Sequence, residues 1–202
     1  MKLYFSPGSC ALSPHIVLRE AGLSFDAVRV NLKAHQFGDG TDYYAVNPKG
    51  YVPTLELDDG TRLTEGPAIV QYIADQVPQK KLAPANGTLE RYRLQEWLNF
   101  ITSELHKSFS PLFNAEWPEA AKALHRDKLR SRLKWVDGQL QGKSYLMGDA
   151  FSVADAYLFV VAGWGKHAGV DIAELPNLTA FMERMAARPA VQEALKAEAA
   201  KK

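Results

Sequence analysis

A change of hydrophobic period divides this chain and sets what it can fold into. Strand and helix signals alternate from residue 1 to about 76, whereas only helical spacing follows Thr88. Leu3, Tyr4 and Phe5 form a short apolar strand, Ser6-Pro7-Gly8-Ser9 a turn, and Ala11, Leu12, Ile16, Val17 and Glu20 a helical pattern. Phe25 to Val30 alternates with period two, the mark of a strand with one buried face. The polar stretch Ala34 to Tyr44, with Gly38 and Gly40, reads as loop and a weak helix. Val52 to Leu57 and Thr61 to Leu63 then flank Asp58-Asp59-Gly60, whose Asp-Gly pair supplies a hairpin turn. Gly66-Pro67 opens a helix, where the N–H that proline lacks has no partner to lose. The order is βαβαββα, an α/β layer with a parallel start and an antiparallel end.

Residues 76 to 88 carry Pro78, Pro84 and Gly87 without periodicity and read as a linker. Beyond it, Leu94, Leu98, Ile101 and Leu105 make the apolar stripe of one long helix. Further helices are expected over about 119–141, 153–167, 178–187 and 190–199. Ser152 and Asp155 form an N-cap signature, the serine accepting from the Asp155 N–H while the carboxylate reaches back. The expected division is an α/β domain over 1–77, a linker over 78–88 and an all-helical domain over 89–202.

With 24 basic and 23 acidic side chains, the net charge of +1 calls for neither nucleic acid nor an anionic membrane. One cysteine forbids an internal disulfide and fits a reducing, cytoplasmic compartment. Met1-Lys2-Leu3-Tyr4-Phe5 enters a strand at once, without the apolar stretch and small-residue cleavage site of a secretory signal. The longest apolar stretch, Ala156 to Gly165, is about half the roughly 20 residues a membrane span needs, and is expected to be core. The histidines and the cysteine show no metal-ligand spacing such as CxxC or HExxH, and no phosphate-binding glycine loop is present.

Four places could carry chemistry. Cys10 sits where the first turn gives way to a helix, so its thiol is either a thiolate favoured by the helix N-terminus or a small buried hydrophobe. Pro53, at the start of a strand, is either an ordinary edge proline or follows a cis bond. A cis bond would leave the Val52 N–H and C=O at the sheet end, ready to pair with an extended peptide. Gly66 can offer its N–H to a carboxylate and Glu65 can bind an ammonium, together matching an α-amino acid end-group; a plain helix cap is the alternative. Asn99, Ser103 and His106 share a polar helix face, where His106 and Lys107 could stabilise an anion; a solvated face is the alternative.

In this order, KLYFSPGSCALSPHIVLREAG, AVNPKGYVPTLELDDG, LTEGPAIVQYIAD, WLNFITSELHKSFSPLF and FSVADAYLF resemble a cytosolic glutathione transferase, most closely the bacterial Beta class. The resemblance spans essentially the whole chain. It implies a thioredoxin-like N-terminal domain with cis-Pro53, an all-α C-terminal domain, and a cytoplasmic homodimer with sites in the cleft between domains. It implies glutathione as co-substrate, no metal, and small hydrophobic electrophiles as targets of a detoxification reaction. Carried over by position, Cys10 faces the glutathione sulfur, Val52 beside Pro53 pairs with the cysteinyl unit, and Glu65 and Gly66 hold the γ-glutamyl end. Asn99, Ser103, Glu104 and His106 line the same cleft, with Lys107 near the thiol. Where the family commonly has Lys to contact the glycyl carboxylate, this chain has His35, with Lys33 as a substitute. Ser9 could donate to a thiolate, and Phe109, Phe113 and Trp164 could form the apolar side. The implied activity is conjugation, with Cys10-dependent thiol transfer or reductive dehalogenation through a mixed disulfide. A glutaredoxin-like exchanger and a non-enzymatic scaffold of the same fold are the rivals.

Overall fold

Leu3, Tyr4 and Phe5 are all buried, which places the first strand in the interior of its sheet. The structure is a computed structural model, and residues 1–200 are described. Strand β1 (Lys2–Phe5) is followed by helix α1 (Leu12–Ala21), β2 (Asp26–Arg29), a 3-10 turn at Tyr43–Ala45, β3 (Thr54–Glu56), β4 (Arg62–Thr64) and α2 (Gly66–Gln76). The sheet order is β2-β1-β3-β4. β1 runs parallel to β2 and antiparallel to β3, so Leu3 lies between Ala27 and Leu55, and Leu55 lies beside Leu63. The expected hairpin is present: Gly60 adopts φ +83° and the Thr61 N–H donates to Asp59 Oδ1 at 2.8 Å. Helix α1 ends at Gly22, whose left-handed φ of 71° lets its N–H return to Arg19 and Leu18.

The chain divides into two compact units, one of residues 1–80 with the segment from Arg188 onward, the other of Lys81–Ala187. The last helix, α9 (Pro189–Ala199), therefore groups with the sheet and not with the helices that precede it. Side-chain pairs along α1 explain this. Arg188 donates to both oxygens of Glu20 (2.6 and 3.0 Å), Arg19 donates to Glu193 (3.1 Å), and fully buried His15 lies 3.0 Å from Glu198.

The second unit holds α3 (Leu89–Phe100), a π-helical stretch Ile101–His106, α4 (Lys107–Phe109), a 3-10 turn Ser110–Phe113, α5 (Glu119–Leu140), α6 (Val153–Gly163), α7 (Gly165–Ala168) and α8 (Pro176–Ala186). The stripe of Leu94, Leu98, Ile101 and Leu105 is buried as expected. What the spacing did not foretell is the widened turn within it. Thr102, Ser103 and Ser108 donate their hydroxyls to the carbonyls of Leu98, Asn99 and Glu104 at 2.8, 3.0 and 2.8 Å, competing with the helix's own bonds. Helix α6 is buried on nearly every side, which assigns the longest apolar stretch to the core. The helix expected to run to 167 breaks at Trp164. There Gly165 approaches Val170 so closely that a Cβ would lie 2.5 Å from the Val170 carbonyl oxygen. The capping box at Ser152 is present, and its Asp155 is fully buried.

Candidate functional site

In the first unit the end of β1, the corner before β3 and the start of α2 meet. Cys10 is half-buried in the turn directly ahead of α1, whose first helical residue is Leu12, as the sequence placed it. Its sulfur donates to the Val52 carbonyl at 3.5 Å. The Val52–Pro53 bond is cis and Val52 is buried, but its carbonyl faces the thiol instead of standing open for a peptide. The Val52 N–H makes no backbone hydrogen bond among the described residues. Ser9 differs from expectation as a thiolate donor, because its hydroxyl donates to Ser6 O at 2.7 Å and accepts from the Ala11 N–H.

Two side chains that the sequence did not single out brace this corner. Buried Tyr43 donates to the Tyr51 carbonyl and contacts Thr54 Oγ1, both at 2.9 Å, while Asn47 donates to the same Tyr51 carbonyl at 2.7 Å. Burial raises the Tyr43 phenol above its ordinary range, so it remains a donor. Gly66 adjoins the Pro53 ring, where an added Cβ would lie 4.0 Å from its Cγ. Glu65 caps α2 with φ 70° and ψ 112°, a conformation a non-glycine residue adopts only under constraint. Its carboxylate is already paired with Lys49, whose ammonium also donates to Thr64 Oγ1 at 2.9 Å. His35 stacks on Tyr44 with ring centroids 4.7 Å apart and sets Nδ1 3.2 Å from the Gly50 carbonyl. Gly50 is required here, since a Cβ would lie 2.7 Å from the Tyr44 ring. Lys33 is exposed on the preceding loop.

In the second unit, Asn99, Ser103 and Lys107 are exposed around the π-helical stretch. Glu104 is bound by α5: Arg132 donates to it at 2.8 Å and Lys128 lies 3.5 Å away, with the Arg132 hydrogen bond chiefly holding its carboxyl below the usual range. His106 Nδ1 lies 2.6 Å from the Tyr157 phenol, and its ring meets Trp164 at 4.9 Å. Of the three aromatics expected on an apolar surface, Phe109 is fully buried whereas Phe113 is exposed. They contact one another and Trp164 with centroids 5.8 to 6.2 Å apart, so Phe109 supports the other two from beneath. Among the described residues, no group of three or more His, Cys, Asp or Glu side chains could hold a metal, and no helix is long and apolar enough to cross a membrane.

A parallel-then-antiparallel sheet with a cis proline at its corner and a separate helical unit define a thioredoxin-like domain joined to a helical one. Family models for the glutathione S-transferase N-terminal and C-terminal domains match residues 8–76 and 100–189, and the chain belongs to that family of enzymes. Within it, the chain falls with the bacterial Beta class. It is 48% identical to glutathione S-transferase GstA of Escherichia coli O157:H7, over the whole of both chains. The solved bacterial Beta-class enzyme of Sphingomonas chungbukensis is 51% identical with a TM-score of 0.95, covering 98% of this chain and 99% of that one. A sphingomonad glutathione S-transferase complexed with glutathione is 49% identical with a TM-score of 0.96, both chains being covered in full.

Proposed function

We propose that this enzyme conjugates glutathione to small hydrophobic electrophiles and that Cys10 also forms a mixed disulfide with glutathione. The observation that carries the reading is the corner where the Cys10 sulfur meets Val52 at 3.5 Å and Gly66 adjoins Pro53, which gathers a thiol, a strand-end backbone and a helix N-terminus in one place. An extended tripeptide would pair with the Val52 N–H, set its central sulfur near Cys10 and lay its α-amino acid end at Glu65 and Gly66. Its ammonium would compete with Lys49 for Glu65. His35, beside Gly50, is our candidate for the glycyl carboxylate, with Lys33 as its alternative. Asn99, Ser103, Glu104, His106 and Lys107 would supply further polar contacts and Phe113 with Trp164 the apolar ones. A homodimer in the cytoplasm is the setting we assign, the latter supported by the single cysteine.

In conjugation the glutathione thiolate forms a sulfur–carbon bond as the leaving group departs with its electron pair. In thiol transfer, the Cys10 thiolate attacks oxidised glutathione and releases one glutathione thiolate. With no second cysteine, Cys10 resolves only through an external thiol. Intact-mass measurement after treatment with oxidised glutathione tests the second step, and absence of an adduct on Cys10 would remove it. Conjugation of an activated aryl halide by the wild type and Cys10→Ala tests the first. Undiminished turnover in the variant would separate Cys10 from thiolate activation, and absence of glutathione binding in the wild type would favour a scaffold.

A further inference from the structure

At the start of α2 the first unit sets two donors and an acceptor side by side. The Gly66 N–H makes no backbone hydrogen bond among the described residues, and Pro67 behind it has no N–H to offer. Lys49 donates through its ammonium to Thr64 Oγ1 at 2.9 Å and to the Glu65 carboxylate, which leaves one of its three N–H groups unspent on a half-exposed side chain. The loop beneath it is fixed. Buried Asn47 accepts from the Lys49 N–H at 3.1 Å and donates to the Tyr51 carbonyl at 2.7 Å, while Gly50 turns the chain with φ 71°. Glu65 is presented by an equally unusual backbone, at φ 70°. An exposed ion pair of this kind contributes little to stability, so exchanging it for the charges of a ligand costs correspondingly little.

We infer that Lys49 is a specificity-determining residue that reads the α-carboxylate of the glutathione γ-glutamyl end. As the ligand's ammonium takes over Glu65, Lys49 stays anchored on Thr64 and turns the N–H it had given to Glu65 onto the carboxylate, where it joins the Gly66 N–H. The exchange closes a ring of alternating charge that runs from Lys49 through the ligand carboxylate and the ligand ammonium to Glu65. Each charge that loses a partner gains another. A ligand carrying the ammonium alone takes Glu65 from Lys49 and offers nothing in return, so the site discriminates against it. The inference rests on the proposed placement of the γ-glutamyl end at Glu65 and Gly66, which it deepens by naming the cation that completes the site.

Isothermal titration calorimetry under reducing conditions tests it with two ligands: glutathione, and γ-aminobutyryl-cysteinylglycine, which keeps the ammonium and lacks the α-carboxylate. The wild type should bind glutathione the more tightly. Lys49→Met keeps an unbranched side chain and removes the charge. It is expected to weaken glutathione about tenfold, the scale of one hydrogen bond to a charged group, and to bind the analogue no more weakly than the wild type does. Lys49→Arg returns the charge and should recover part of the lost affinity. The substituted side chain is half-exposed, so both variants are expected to fold. Equal losses for both ligands in Lys49→Met would reduce Lys49 to a support for its loop and overturn the inference. Tighter glutathione binding in that variant would also overturn it, by making Lys49 a competitor for Glu65 and nothing more, and so would unchanged affinity for glutathione. A wild type that binds neither ligand is a different failure, since it removes the glutathione site on which the inference rests.

Discussion

Asp155 offers a prediction whose sign can be worked out. Its buried carboxylate accepts from the N–H of Leu146 at 2.8 Å, the N–H of Ser152 at 2.7 Å and the Ser152 hydroxyl at 2.8 Å. Replacing it with alanine strands two backbone donors, each costing about 1–3 kcal/mol, while the hydroxyl can turn away. The charge itself opposes this. Burial pushes the Asp155 carboxyl up from 3.8 to about 6, outweighing the three donors that pull it down. The folded state thus holds a proton that the unfolded chain has released between those values. Stability from this group is greatest at low pH and is lost as pH rises through about 6. At pH 7 the burial of the anion relieves part of the penalty in the variant, leaving an expected loss of about 3 kcal/mol for Asp155→Ala. Between pH 7 and pH 5 the wild type should gain a further ~1 kcal/mol on the variant. Urea unfolding followed by tryptophan fluorescence at fixed protein concentration reads both numbers, provided the slope is unchanged. A loss that shrinks on acidification would show the anion to be the favoured buried form and would refute the reasoning; Ser152→Ala, which deletes one donor, should cost only about 1 kcal/mol.

Two glycines should respond in opposite directions. Gly165→Ala drives a Cβ against the Val170 carbonyl and should cost about 1–3 kcal/mol, whereas Gly138→Ala, inside α5 with open space around it, should gain about 0.5–1 kcal/mol; melting temperatures compare them. Tyr43→Phe removes the phenol's bonds to Tyr51 and Thr54, so its expected effect is a raised KM for glutathione with kcat little changed, by steady-state kinetics. Arg188→Ala cuts the bidentate pair with Glu20. Global stability should fall by about 1 kcal/mol, while hydrogen exchange should accelerate first in α9.

What was legible in the sequence was chemistry confined to a few neighbouring residues. Asp59-Gly60 specifies its turn, Gly66-Pro67 its helix start and Ser152 with Asp155 its cap, because in each case the partners lie within one turn of chain. The apolar stripe through Leu94 and Leu105 fixed a buried face but not the helix type, since one widened turn leaves those four residues on the core side. Pairs made across the fold carry no local signal. Nothing near Glu65 announces Lys49, nothing near Glu104 announces Arg132, and Tyr157 reads as one more apolar residue of α6 until His106 is beside it. Phe109 shows the same limit from the other side: helical spacing cannot tell an aromatic beneath a surface from one on it.

The clasp between α9 and α1 has a consequence for how the chain is made. Its partners are separated by 168 to 183 residues, so at synthesis rates of 5–20 residues per second α1 waits about 10–40 s on the ribosome for its cover. During that interval the sheet and its first helices can assemble, but the His15 face stays open to water and to chaperones. The amino-terminal unit is therefore begun first and finished last, and a nascent chain halted before Arg188 would present an α1 surface that the completed molecule never shows.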